Sequence, residues 1–285
     1  MNRVETFNEY RSLLMSIAYR MLGSRADTED TVQETFLRYQ ATEAEPGSPK
    51  AFLATTITRL CIDQLRSARS RREIYVGQWL PEPVVTAGTG LEMAESLTMA
   101  FLILLESLAP VERAAFLLHD VFDYDYAEIA EMIGKNAANC RQMVHRAKER
   151  ITARQRRFDA SREETERITS RFLQTARSGD VAGLMALFAD DAVMTSDGGG
   201  KARAARNLVK GADSIARFVM GVIRKNEGLN LVHTLTEINA QPAFITTISG
   251  QVVSATILDI RDGLIQNLFI VANPDKLRDV ISPLN

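Results

Sequence analysis

The sequence predicts a multidomain chain: two all-α bodies followed by an α+β domain. Three observations carry this. Apolar residues recur at helical spacing through residues 5–75 and again through 91–155. A segment rich in Pro and Gly, 76–90, separates these two stretches. After Ser161, β-branched runs alternate with turns behind a pair of helices. The chain of 285 residues has room for about two domains at ~100–200 residues each.

Within the first body, Phe7, Leu14, Ile17, Ala18, Met21 and Leu22 follow a helical period that stops at Gly23. A second helix is expected from Ala26 to Tyr39, with Val32, Phe36 and Tyr39 on one face and Asp27, Asp30 and Glu34 on the other. After the breaker stretch Glu43–Pro49, a long helix runs from Lys50 to Arg72 on a stripe of Leu53, Ile57, Leu60, Cys61, Leu65 and Ala68. At 100° per residue, Thr55, Arg59, Asp63 and Arg66 fall near its far side. In the separating segment, Gly77, Pro81, Pro83, Gly88 and Gly90 predict a flexible linker. The single tryptophan, Trp79, lies inside it; a solvated linker gains nothing from an indole, so Trp79 is expected to dock.

The second body reads as helices over Glu92–Leu108, Val111–Phe122 behind Pro110, Asp125–Ile133 closed by Gly134, and Asn136–Arg154. The last domain reads as helices Arg162–Arg177 and Val181–Phe188, a strand near Ala192–Thr195, and a helix Ala212–Lys225. Strands Leu229–Glu237, Phe244–Ile248, Val252–Ile260 and Leu264–Val271 complete it.

Composition bounds the function. Hydrophobic residues at 46% and charged residues at 25% describe an ordinary globular chain, and no apolar run nears the ~18 residues that span a bilayer. The opening Met1-Asn2-Arg3-Val4-Glu5 lacks the basic-then-apolar pattern of an export signal. Two cysteines, Cys61 and Cys140, make neither a disulfide framework nor a four-cysteine zinc site. The expectation is a cytoplasmic protein without membrane attachment. Net charge is −2, but its distribution is uneven. Lys135, Arg141, Arg146, Lys148, Arg150, Arg154, Arg156 and Arg157 stand against Glu149 alone, and Arg59, Arg66, Arg69, Arg71 and Arg72 against Asp63. Two such segments in a neutral chain read either as a pair of solvated helix faces or as two phosphate-contacting surfaces.

The strongest local signal is a helix-turn-helix. Tyr126–Gly134 gives a short helix and a glycine turn. On the helix that follows, Cys140, Val144, Ala147 and Ile151 form the buried stripe. That turns Arg141, Gln142 and His145 outward, with Asn139 and Arg146 on the flanks, residue types that read base edges and phosphates in a major groove. An αα-hairpin on a solvated bundle is the plain alternative, and the basic excess disfavours it.

These residues resemble region 4 of the sigma-70 transcription initiation factors, in the small extracytoplasmic-function group, through Asp125–Gly134 and His145-Arg-Ala-Lys-Glu-Arg150. Asp27-Thr-Glu-Asp-Thr-Val-Gln-Glu-Thr-Phe-Leu-Arg38 resembles the core-polymerase-binding helix of region 2, and Leu60-Cys-Ile-Asp-Gln-Leu-Arg66 resembles the start of its promoter-melting helix. Three more motifs are similar to those of the subgroup with a fused SnoaL-like C-terminal domain: Trp79-Leu80-Pro81-Glu82-Pro83, Asp197-Gly198-Gly199-Gly200-Lys201 and Asn273-Pro274-Asp275-Lys276-Leu277.

The resemblance implies region 2 over 1–75, a linker over 76–90, region 4 over 91–157 and a SnoaL-like domain over 160–285. It implies that Asp27, Asp30, Gln33 and Glu34 meet core RNA polymerase, where complementary charge sets orientation and on-rate. It implies that Lys50, Phe52, Thr55, Arg59, Asp63 and Arg66 meet the −10 DNA, and that Asn139, Arg141, Gln142, His145 and Arg146 meet the −35 DNA. The WLPEP, DGGGK and NPDKL residues would form interdomain regulatory contacts. Two positions depart from the pattern: Arg59 stands where the family commonly has asparagine, and Lys135 where a turn residue is commonly apolar.

Catalysis by the last domain is disfavoured. Its SnoaL-like relatives include proton-shifting enzymes, whose chemistry wants a tuned Asp or His base and often a tyrosine donor in an apolar cone. All six tyrosines precede residue 127, and His233 is the domain's one histidine. Asp190 and Asp191 follow an expected helix end, and Asp259 and Asp262 flank an expected turn. DGGGK lacks the spacing of a phosphate loop. The reading is therefore a non-enzymatic sigma factor that binds core polymerase and promoter DNA, needs no metal or nucleotide, and is regulated in cis by its C-terminal domain. A ligand in the C-terminal cone stays open. Two rivals are a polymerase-independent helix-turn-helix regulator, which leaves the acidic helix unexplained, and a SnoaL-like enzyme with a DNA-binding module, which the missing tyrosine disfavours.

Overall fold

A computed structural model describes residues 2–43, 46–72, 75–86, 97–152, 162–278 and 280. Linker residues 87–90, the start of the helix expected from Glu92, the domain boundary near 157–160, and the side chains of Ala68, Arg69, Arg71, Arg72, Arg154, Arg156 and Arg157 lie outside what is described. The chain divides into two compact units, one of Met1–Ile74 with Phe101–Arg156, the other of Tyr75–Ala100 with Arg157–Leu284.

The first unit is helical: α1 (Arg3–Leu22), α2 (Arg25–Gln40), α3 (Pro49–Arg72), then the end of α4 (Met99–Leu105), α5 (Pro110–Asp120), α6 (Tyr126–Ile133) and α7 (Ala137–Thr152). Local chemistry sets the boundaries. Asn2 and Glu5 form a capping box that starts α1, and Gly23, at φ 66°, ends it. Asp125 and Glu128 do the same for α6, which Gly134 ends at φ 65°. The core face of α2 differs from the expected one. Thr28, Thr31 and Thr35 are buried beside Val32 and Tyr39, while Phe36 is only half-buried, its ring 4.8 Å from that of Phe7. The three hydroxyls donate to the carbonyls of Ser24, Asp27 and Thr31, so polar side chains enter the core already satisfied.

The second unit holds α8 (Arg162–Ser178), α9 (Val181–Met185), β1 (Phe188–Asp197), β2 (Val209–Lys210), α10 (Ala212–Lys225), β3 (Leu231–Ile238), β4 (Gln241–Ile248), β5 (Gln251–Arg261), β6 (Leu264–Val271) and α11 (Pro274–Leu277). The sheet order is β2-β1-β6-β5-β4-β3, with β1 and β6 parallel and the other neighbours antiparallel. Phe172, Phe188, Met194, Ile215, Val219, Phe244 and Leu258 are core members between the helices and the sheet.

This is the expected α+β domain with local differences. The helix expected to reach Phe188 stops at Met185, because Phe188 and Ala189 join the core as strand residues. Asp190 and Asp191 are therefore exposed strand residues and follow no helix end. Asp259 lies fully buried within β5, where Arg261 Nη2 and Asn267 Nδ2 donate to it at 2.8 and 2.6 Å. The NPDKL turn is a helical turn, α11, capped by the Asn273 side chain.

Candidate functional site

The first unit presents three surfaces. On α2, Asp30 and Gln33 are exposed, Asp27 and Glu34 are half-buried, and Glu34 accepts from Arg38 Nε at 2.8 Å. Leu37, one turn beyond Gln33, is 51% exposed; its place on an otherwise polar face gave no signal by spacing alone. On α3, Phe52 is half-buried with its ring 6.0 Å from that of Tyr39, and Lys50 Nζ stands 5.7 Å from the Tyr124 ring centre. Thr55 is half-buried, and Asp63 pairs with Arg66 at 3.2 Å in solvent. Arg59 is not free to the solvent side. Its Nε and Nη2 donate to the carbonyls of Met132 and Glu131, both at 2.8 Å, at the C-terminal end of α6. Those carbonyls carry the negative end of the helix dipole, which favours a guanidinium there.

On α7, Cys140, Val144, Ala147 and Ile151 are buried together with Met143, and Asn139, Arg141, Gln142, His145 and Arg146 are exposed. Arg141 lies 5.1 Å from the Tyr126 ring centre, His145 is 3.7 Å from Glu149, and Arg146 is 4.0 Å from Glu112. Glu112 also pairs with Arg150 at 3.1 Å. Arg141 and Gln142 thus keep their hydrogen-bonding ends clear of a protein carboxylate among the described residues.

In the second unit, the WLPEP, DGGGK and NPDKL motifs meet on one carboxylate. Asp197, at the end of β1, is fully buried. Its oxygens accept from the Tyr75 hydroxyl at 2.6 Å, Leu80 N at 2.9 Å, Gly199 N at 3.0 Å and Lys276 Nζ at 2.7 Å. Four donors on two oxygens is a full complement for a carboxylate. Lys276 is equally committed. It donates to the Leu80 carbonyl, and its Nζ stands 4.3 Å from the Trp79 ring centre and 5.2 Å from that of Tyr75. The indole is a cation–π partner, which is the docking that a linker tryptophan needs.

The glycines of the second motif are there for space. A Cβ on Gly199, at φ 57°, would sit 2.2 Å from Asn273 Nδ2, and one on Gly198 would sit 2.4 Å from the Ala202 carbonyl oxygen. Gly200, at φ 71°, brings the backbone against Val76. Asn273 Nδ2 donates to the Tyr75 hydroxyl at 2.9 Å, and Lys201 pairs with Asp275 in solvent. Pro81, Pro83 and Leu277 are buried, and Glu82 is half-buried. Pro274 opens α11.

Beyond this cluster, residues 84–86 join the sheet edge. Val84 and Asn239 exchange hydrogen bonds at 2.8 and 3.1 Å, Val85 bridges Ile238, and Thr86 N donates to the Glu237 carbonyl at 3.0 Å. Residues 75–86 are therefore a strap fixed on the α+β domain and not a flexible tether. Tyr75, Asn239 and Gln241, which accepts from Met99 N at 2.8 Å, were missed from the sequence. A Tyr75–Trp79 pair at i, i+4 in a breaker-rich segment was the available signal.

Electrostatics follow from these contacts. Burial and the bond to Asp197 push the Tyr75 phenol up, so it stays a donor. The hydrogen bond from Lys201 holds the Asp275 carboxyl below the usual carboxylate range. On β3, burial and then the Arg177 charge push His233 down, and its Nδ1 lies 3.0 Å from Thr246 Oγ1.

The comparisons agree with this architecture. The family model described as Sigma-70 region 2 matches residues 6–71, and Sigma-70, region 4 matches residues 98–151. These matches define a sigma-70-type chain. The chain is 36% identical to the ECF RNA polymerase sigma factor SigJ of Mycobacterium tuberculosis, covering 96% of this chain and 92% of that protein. It is 28% identical to the probable ECF RNA polymerase sigma factor SigI of that organism, over 94% and 92% of the two chains. The crystal structure of SigJ matches with a TM-score of 0.78 at 33% identity, over 96% of this chain and 98% of that one. This chain belongs to the extracytoplasmic-function (ECF) RNA polymerase sigma factors. Among the described residues, no helix is long and apolar enough to cross a membrane.

Proposed function

We propose that this chain directs core RNA polymerase to promoters and that its SnoaL-like α+β domain regulates it in cis, without catalysing a reaction. The α2 face of Asp27, Asp30, Gln33 and Glu34 meets a basic polymerase surface. Exposed α7 residues Arg141, Gln142 and His145 read the −35 element, with Asn139 and Arg146 at its edges. Lys50, Phe52, Thr55, Asp63 and Arg66 on α3 handle the −10 strand. Arg59 joins them once α6 releases it, so the form described here is a closed one whose population DNA and polymerase shift.

The observation that carries cis regulation is the Asp197–Lys276 cluster. It fixes the segment between the two DNA-binding bodies onto the C-terminal domain and so limits where those bodies can be placed. The non-enzymatic reading is supported by the apolar character of the domain core among the described residues and by the absence of tyrosine after residue 127.

Run-off transcription with reconstituted polymerase on a randomised promoter library tests the reading. The full chain is expected to yield defined start sites, and Asp30→Lys with Glu34→Lys to abolish polymerase capture. Breaking the cluster with Asp197→Asn is expected to change output at least twofold. No start site with any promoter overturns the sigma reading, and unchanged output with Asp197→Asn overturns the cis-regulator reading.

A further inference from the structure

Among the described residues of the α+β domain, Phe172, Phe188, Met194, Phe244 and Leu258 are buried in one apolar core. Open space lies at the rim of this core. A groove of about 560 Å³ runs between α8 and β3, in the size range of small-molecule sites. Ser170, Gln174 and Arg177 line it from successive turns of α8, and His233 and Leu235 from β3.

The chemistry of this lining is unspent. Among the described residues, no carboxylate pairs with Arg177. The His233 ring uses Nδ1 toward Thr246 and stands edge-on to Phe244, its centroid 5.5 Å from that ring. Its other ring nitrogen has no hydrogen-bond partner among the described residues. Leu235 is 54% exposed in the same groove, with buried Leu173 behind it. A single unpaired guanidinium, a neutral imidazole and an amide stand beside an apolar wall. Inorganic phosphate would use the first three and waste the wall; a neutral hydrocarbon would leave the guanidinium unanswered.

We propose that this groove binds a small amphipathic organic anion, with its carboxylate on Arg177, His233 and Gln174 and its apolar tail along Leu173 and Leu235. The site lies in the domain that carries the strap, and its occupant, a small organic acid, is chemically distinct from DNA and polymerase. Binding is independent of the transcription reading, because it requires neither.

Titration calorimetry on the full chain, with ring-proton NMR of His233, tests this using octanoate, octan-1-ol and inorganic phosphate as probes. Octanoate is expected to bind and to shift the His233 signals. Loss of one charge-assisted pair is expected to weaken it about tenfold or more, either in Arg177→Gln or when octan-1-ol replaces octanoate. Leu235→Ser weakens octanoate as well. Arg177 and Leu235 are both exposed, so neither substitution opens the core. Absence of heat and of a His233 shift at about 10 mM octanoate overturns the proposal. So does equal octanoate affinity in Arg177→Gln, and so does phosphate binding as tightly as octanoate, which would make the groove a simple anion site.

Discussion

Lys276→Met is the sharpest single perturbation of the strap. Lys276 and Asp197 are paired at 2.7 Å with side chains 8% and 0% exposed. Removing one partner of a buried pair leaves an uncompensated charge, at a cost of about 3–5 kcal/mol. Tyr75, Leu80 and Gly199 still donate to the carboxylate, which places the loss near about 3 kcal/mol, roughly a hundredfold in the local equilibrium. The comparison is Lys201→Met, whose pair with Asp275 is 58% and 41% exposed and is worth less than about 1 kcal/mol. Urea unfolding followed by the fluorescence of the single tryptophan, Trp79, reads the cluster directly. The expected order is a large midpoint shift for Lys276→Met and a small one for Lys201→Met. Adding Asp197→Asn to Lys276→Met is expected to recover part of the loss, since the orphaned charge is then gone. Equal shifts for the two lysines, or no recovery in the double variant, would refute the buried-charge argument.

Gly199→Ala combines a left-handed φ with a collision on Asn273 and is expected to cost at least about 1–3 kcal/mol, read by the same unfolding curve. Gly77→Ala, at φ 88° but with open space around it, is expected to cost less. Arg141→Ala is expected to weaken −35 DNA binding and, if it removes one phosphate contact, to reduce the log–log salt slope by about 0.9. Arg59→Ala removes two hydrogen bonds to α6 and is expected to speed amide exchange in that helix, measured by mass spectrometry. His233 is held below its ordinary value of about 6.5 in the folded chain. The unfolded chain therefore binds the proton first, and this contribution is intact above that pH and lost as pH falls through the folded value. The wild-type midpoint is expected to drop more than that of His233→Gln between pH 7.5 and about 5.5.

Periodicity and caps made the helices legible. Gly23, Asp125 with Glu128, Gly134 and Pro110 are local signals, and they set boundaries that the structure keeps to within a few residues. The α2 core face was only half legible, because buried threonines look polar until their hydroxyls are seen returning to the backbone. The helix read through Phe188 failed for a similar reason. An apolar run fits a buried strand as well as a helix end, and the neighbouring β6 decides between them. The motif residues were legible as a set, but their convergence on Asp197 was not. That depends on contacts spanning 79 to 122 residues, which no local pattern encodes. The helical period puts Arg59 on the exposed side of α3, while its engagement by α6 depends on a partner 73 residues away.

The spacing of the Asp197 partners has a consequence for synthesis. Leu80 waits for Lys276 across 196 residues. At about 5–20 residues per second, the ribosome takes on the order of 10–40 s to bridge that interval. For that time the nascent chain carries its helical segments with Leu80 not yet held by the lysine that binds it. A newborn molecule thus lacks this anchor, which arrives only with the final strand and the lysine behind it.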